Sequence, residues 1–298
     1  MRIFDAHADT ISEILDHNKK LEENDLHIDL KRMSTYEEYT QVFAVFISPE
    51  YKNHGMDRAC ALIKKAQTEM LSCGISLCKS YSDWETANSR VKAFLSLEGG
   101  EPIENVFDVE KLFRLGIRII APTWNFQNKI ACGAMEEKDT GLSAFGRQVI
   151  WEMERLGIIC DVSHLSEKSF WDIAAISKKP LIASHSDSFS VKKHRRNLTD
   201  RQFVAIKDTG GCVGINFYPP FLGDKIEDAI LHIDRFLSLG GEDNIGLGSD
   251  FDGVDALPLG MAGCQDMEGF IKMLPYSTKI REKIAYKNFL RVLKAHNC

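Results

Sequence analysis

The sequence predicts an α/β protein built as a closed (β/α)8 TIM barrel. Eight short apolar runs rich in β-forming residues recur along 298 residues, and most are followed by a segment of helical periodicity. Strands that alternate with helices pair in parallel, because each return to the same edge needs a crossover. An open doubly wound sheet would carry a Gly-rich phosphate loop after its first strand. Here Thr10-Ile11-Ser12-Glu13 stands in that place.

The runs are Arg2–His7, Val42–Ile47, Ala93–Leu97, Ile117–Thr123, Ile158–Ser163, Leu181–Ser184, Cys212–Phe217 and Ile245–Ser249. They are short and nearly continuous in apolar residues, as strands buried on both faces are. Between them, Met56–Met70, Val106–Leu115, Phe145–Leu156, Lys168–Ile176, Asp200–Lys207 and Lys225–Leu239 repeat apolar residues at helical spacing. No internal repeat, low-complexity tract or Pro/Gly linker interrupts the series. Eight such units fill one barrel of this length, so residues 1–298 are expected to form a single domain.

Hydrophobic residues make up 44% of the chain and charged residues 27%, the balance of a globular protein. A formal net charge of -6 argues against a nucleic-acid partner, which needs a basic stripe. Asp5 and Asp9 interrupt the opening, no apolar run approaches the ~20 residues of a membrane helix, and Leu293–Cys298 is no lipid-anchor tail. Eight cysteines sit at irregular spacing without a Cys-x-x-Cys, several of them (Cys160, Cys212) inside apolar stretches. Free buried thiols are expected, and with them a reducing, cytoplasmic setting without membrane attachment.

Chemistry in such a barrel collects at the C-terminal ends of the strands. The first run ends in His7-Ala8-Asp9, the third in Glu98, the fifth in Ser163-His164, the sixth in Ser184-His185 and the eighth in Asp250-Phe251-Asp252. In an extended strand residues two apart share a side, which would aim His7 and Asp9 at one point. Each residue has a structural alternative. Glu98 could cap a helix, His164 and His185 could be core histidines, and Asp250 and Asp252 could shape a turn beside Gly253. Their shared place on one rim favours metal binding. Three histidines, Glu98 and two aspartates exceed the needs of one ion. Glu98 could bridge two ions about 3.5–4 Å apart, with His7 and Asp9 on one and His164 and His185 on the other. A hydroxide bridging the ions would then attack an acyl bond, with Asp250 carrying a proton from the attacking water to the leaving amine.

Asp5-Ala6-His7-Ala8-Asp9, Leu97-Glu98-Gly99-Gly100, Asp161-Val162-Ser163-His164, Ser184-His185-Ser186, His194–Asp200 and Gly246–Gly253 occur in this order along nearly the whole chain. The set resembles the membrane (renal-type) dipeptidase family of the amidohydrolase superfamily, metal-dependent hydrolase barrels. That resemblance implies two Zn²⁺ ions, or other divalent ions, held by His7, Asp9, bridging Glu98, His164 and His185. It implies that Arg196 grips the substrate's C-terminal carboxylate, for which a planar guanidinium is suited. Asp250 would stand near the free amine and the transferred proton, and Asp252 would shape its loop. Free dipeptides are the implied substrates, including those with a C-terminal D-residue, and the family also suggests a homodimer.

One position departs from the pattern. Animal members carry a His at the end of the fourth strand, where this chain has Trp124, followed by Asn125. Oxyanion stabilisation would fall to the metals, Asn125 or the indole N–H, or Trp124 would simply wall the pocket. The absence of a carbamylated lysine there argues against the phosphotriesterase-like branch. Two other readings use the same barrel: an N-acyl amino-acid deacylase, and a non-catalytic metal-binding protein. An intact Asp250 disfavours the last.

Overall fold

The structure, a computed structural model, describes residues 1–296. Nine strands form one sheet: β1 (Arg2–Ala8), β2 (Glu38–Phe46), β3 (Ser76–Leu77), β4 (Val91–Glu98), β5 (Ile117–Ala121), β6 (Ile159–Cys160), β7 (Ile182–Ala183), β8 (Cys212–Ile215) and β9 (Ile245–Leu247). Eight of them run parallel in the order β6-β5-β4-β2-β1-β9-β8-β7, and β3 lies outside the ring against β4. A bridge between Asp161 and Ile182 joins β6 to β7, with the Val162 N–H donating to the Ile182 carbonyl at 2.7 Å. The eight strands thus form the predicted (β/α)8 barrel, each on one of the eight apolar runs.

The ladders are unequal. β2 and β4 pair without interruption from Tyr39↔Val91 to Phe46↔Glu98. β6 and β7 are two residues each, so little backbone pairing holds that arc. The crossover helices lie where periodicity placed them, at Gly55–Ser72, Phe107–Leu115, Ala144–Leu156, Glu167–Ala174, Asp200–Asp208 and Ala229–Ser238. Hydroxyl caps start several of them. Ser143 accepts from the Gly146 N–H, Ser166 from Ser169, and Thr199 from Gln202 in a reciprocal capping box.

The barrel interior is apolar at the N-terminal end of the strands. Phe4, Val42, Phe94, Ile119, Ile159, Ile182 and Cys212 pack there with Phe289 and Leu293 from the terminal helix Asn288–His296. Phe289 stacks on Phe4 at 5.5 Å. A Cβ at residue 246 would lie 2.4 Å from the Phe289 ring, so Gly246 is what lets that ring enter. One mouth of the barrel is therefore closed by an aromatic plug. The opposite rim is left for polar side chains.

Candidate metal centre

At that rim, β1, β4, β6, β7 and β9 bring together the residues expected from the sequence. His7 Nε2 lies 3.3 Å from Asp9 Oδ2, 3.4 Å from Glu98 Oε2 and 3.9 Å from Asp250 Oδ1. His164 Nε2 lies 2.7 Å from Glu98 Oε1 and 2.8 Å from His185 Nε2, with His185 Nε2 3.7 Å from the same carboxylate oxygen. Three triads each bring ligand atoms within 4.8 Å: His7, Asp9 and Glu98; Glu98, His164 and His185; and His7, His185 and Asp250. All six side chains are buried.

The His7–Asp9 convergence has a different origin from simple strand alternation. Between Asp5↔Gln41 and Ala8↔Phe43 the β1–β2 register slips, so an unbroken ladder does not run through Ala6-His7. Asp9 has already left the strand, with φ -95 and ψ 12 as the residue preceding the helix Thr10–Asp16. Two further residues of the centre are held in left-handed backbone, His164 at φ 69 and Asp250 at φ 62. For a non-glycine residue that conformation is costly, and such strain collects at functional sites. Gly253 closes the turn after Asp250, where a Cβ would sit 2.2 Å from Asp9 Oδ2.

The hydrogen bonds around the rings decide which nitrogens carry protons. Ser184 Oγ donates to Asp161 Oδ2, so at 2.7 Å from His185 Nδ1 it accepts the ring N–H. His164 Nδ1 lies 2.9 Å from Asn125 Oδ1, an acceptor only. Both rings therefore turn unprotonated Nε2 atoms toward Glu98. Three acceptor atoms converge with no donor between them, an arrangement that a cation resolves. His7 Nδ1 and Asp9 Oδ1 are buried without a hydrogen-bond partner. This donor set fits divalent metal.

Electrostatics agree. Burial holds His164 and His185 well below the usual imidazole range, helped by the Arg196 charge, so both rings are neutral as ligands must be. Burial alone would also lower His7, but Glu98 and Asp9 override it and hold its pKa high. Burial pushes Glu98 up to about 7 against the pull of His7, and raises Asp250 as well.

The remaining predicted residues line a cavity of about 410 Å³ above this centre, with Phe46, Trp124, Asn125, Arg196, Tyr218 and Phe221 among its walls. Arg196 is not part of a solvated basic cluster: it is 4% exposed, whereas Lys193 and Arg195 beside it are on the surface. One guanidinium N–H donates to the His185 carbonyl at 3.3 Å, Nε has no partner, and the group lies over the Phe221 ring at 5.6 Å. Trp124 stands between Phe46 and His164, its ring centroid 6.2 Å from the imidazole. Asp252 is consumed by its loop, accepting from Thr10 Oγ1 and the His27 N–H at 2.6 Å each.

The sequence reading passed over Asn216, at the end of the seventh run. Its amide donates to Asp250 Oδ2 at 2.9 Å and leaves Oδ1 facing the centre. Its place near the end of a predicted barrel strand was the available signal. The Ser184–Asp161 link was equally hidden, because both residues read as ordinary strand-end polar groups.

A parallel barrel with buried histidines and carboxylates gathered at its C-terminal rim, beneath a cavity, is the architecture of a metal-dependent hydrolase. Residues 1–297 match the membrane dipeptidase family, peptidase family M19. The chain belongs to that family and is thereby a dipeptidase-type metallohydrolase.

Among curated relatives, a Klebsiella pneumoniae protein encoded in the pqqA 5′ region is 36% identical over 240 residues, covering 74% of this chain and 88% of its own. A Schizosaccharomyces pombe protein named as a dipeptidase is 31% identical over 298 residues, covering 90% of this chain and 71% of its own. Among solved structures, the dipeptidase AC, a family M19 metallopeptidase, superposes with TM-score 0.92 at 27% identity, covering 100% of this chain and 99% of the other. A Rhodobacter sphaeroides metallopeptidase bound to a phosphinate mimic of the dipeptide L-Ala-D-Ala gives TM-score 0.90 at 26% identity, covering 99% of each chain.

Proposed function

We propose that this chain hydrolyses unblocked dipeptides, including those with a C-terminal D-residue, with two Zn²⁺ ions at the rim. The observation that carries this reading is the pair of ligand triads sharing Glu98 at the floor of a cavity bounded by Arg196 and Asp250. His7, Asp9 and Glu98 would hold one ion, and Glu98, His164 and His185 the other. Ions held there would supply an activated water and a Lewis acid for the scissile carbonyl.

The chain's own residues select and turn over the substrate. Arg196 is a buried cation with an unpartnered Nε beside the cavity, and a carboxylate would complete it. Asp250, held by Asn216 through one oxygen, offers the other to the substrate's free amine. It would take the proton of the attacking water and deliver it to the leaving amine. A cation at one end and a carboxylate at the other would favour a short substrate that carries both a free carboxylate and a free amine. Trp124 would wall the cavity and Asn125 would brace His164. The phosphinate dipeptide mimic bound by the Rhodobacter relative supports both the substrate class and the D-residue. All seven cysteines among the described residues are free, which favours a reducing compartment.

The test is a panel of free L,L- and L,D-dipeptides, their N-acetyl forms and a tripeptide, run on zinc-loaded and chelated protein. Metal-dependent cleavage of the free dipeptides alone is expected. Preference for N-acetyl forms would reassign the protein as a deacylase. No cleavage by protein shown to hold its metals would end the catalytic reading.

A further inference from the structure

The two halves of the centre are braced unequally. On the β6–β7 side both imidazoles are fixed from behind. His185 Nδ1–H donates to Ser184 Oγ at 2.7 Å, and Ser184 in turn donates to Asp161, whose other oxygen accepts from the Ser163 and Ser184 N–H groups at 2.9 and 3.0 Å. His164 Nδ1–H donates to Asn125 Oδ1 at 2.9 Å. On the β1 side, His7 Nδ1 is buried with no partner. The β1–β9 junction has its own aspartate–serine pair, Asp5 accepting from the Ser249 N–H at 2.9 Å and Oγ at 2.6 Å. That serine reaches the His7 carbonyl at 3.3 Å, not its ring.

A metal ligand whose remote nitrogen is hydrogen-bonded has its tautomer and ring orientation set before the ion arrives. We propose that Ser184, backed by Asp161, and Asn125 are positioning residues that preform the His164–His185 metal position, so that it fills before the His7–Asp9 position. The inference rests on the two-ion reading above. It adds an order of loading and names the residues that impose it. Asp9 adds a carboxylate to the other position, but no hydrogen bond from behind orients the His7 ring as the ion enters.

The experiment is titration of Zn²⁺ into metal-free protein against a competing chelator, with ¹⁵N-histidine spectra recorded at each step and assigned by single His→Gln variants. The first equivalent should move the His164 and His185 resonances and the second should move His7. In metal-free protein, His164 and His185 should already show the Nδ1–H tautomer. Ser184→Ala and Asn125→Ala should each weaken the first equivalent by about 10- to 100-fold and barely change the second. Ser184→Thr and Asn125→Asp, which keep an acceptor, should restore it, so loss by misfolding is distinguishable from loss of positioning. Ser249→Ala, which breaks the other aspartate–serine pair, should leave the order intact. First response at His7, or equal weakening of both equivalents in the alanine variants, overturns the proposal. Saturation at one equivalent overturns the two-ion reading itself and the loading order with it.

Discussion

Two junctions of the barrel solve the same problem with the same pair of residues. Between β1 and β9 the strands pair at Asp5↔Leu247, with a further bridge at Ala8↔Phe251 just beyond β9, and between β6 and β7 there is one bridge, Asp161↔Ile182. In each, a buried aspartate crosses the seam and takes both the N–H and the hydroxyl of a serine just past the end of the neighbouring strand. The surroundings differ. β1 is anchored on its other side by the β2 ladder, whereas β6 and β7 are two residues each. Only on the β6–β7 side does the serine also hold a ligand imidazole. Where backbone pairing runs short, side-chain hydrogen bonds both close the barrel and aim the metal ligands. Structure and chemistry are therefore coupled more tightly at Asp161 than at Asp5.

Substitutions can break that comparison. The largest effect is expected at Asp250→Asn, next to the β1–β9 seam, which keeps shape and the Asn216 contact but removes the proton carrier. Turnover should fall about 10²- to 10⁴-fold with metal content unchanged, read by steady-state kinetics beside metal analysis. Loss of metal in that variant would recast Asp250 as a ligand. Next come the seams. Asp161→Ala leaves the Ser163 and Ser184 N–H groups and the Ser184 hydroxyl without their acceptor, at about 1–3 kcal/mol for each buried group left unpaired. Asp5→Ala should cost comparable stability in denaturant unfolding, but only Asp161→Ala should also weaken the first metal equivalent. Equal metal defects in the two variants would erase the distinction.

Arg196→Lys tests the cavity wall on the β7 side. Loss of a charged, two-pronged hydrogen bond should raise KM about 10- to 100-fold and leave kcat closer to wild type. An unchanged KM would remove Arg196 from substrate binding.

The smallest expected effect is a pH dependence at His232, which ties the Arg196 loop to the Phe221 loop. Its Nδ1 accepts from the Ser188 N–H and its Nε2 donates to the Leu222 carbonyl, both at 2.9 Å. Burial lowers its pKa below the ordinary imidazole value of 6.5. The unfolded chain therefore binds the proton more readily than the folded one, so this group's contribution is complete above pH 6.5 and declines as pH falls below it. Denaturation from pH 7.5 to 5 should show a shallower loss in His232→Gln than in wild type. An identical slope would assign the acid sensitivity to other groups.

Much was legible before folding because barrel strands and crossover helices leave local periodicities. The eight apolar runs became the eight barrel strands, and His7, Asp9, Glu98, His164, His185 and Asp250 met at one rim, because the parallel fold delivers every strand's C-terminal end there. Residue type and position after a strand were enough to nominate them. Other features depend on distances between segments remote in sequence, which no local pattern encodes. Only the folded barrel shows that Arg196 is buried while its basic neighbours are solvated, or that Asn125 points its oxygen at His164. The same holds for the register slip between Asp5 and Ala8, the Asn216–Asp250 bond and the Asp161–Ser184–His185 chain. The sequence by itself determined which chemical groups reach the rim. Tertiary structure decided which of their atoms face one another, because tautomer, burial and bond direction are properties of contacts across the barrel.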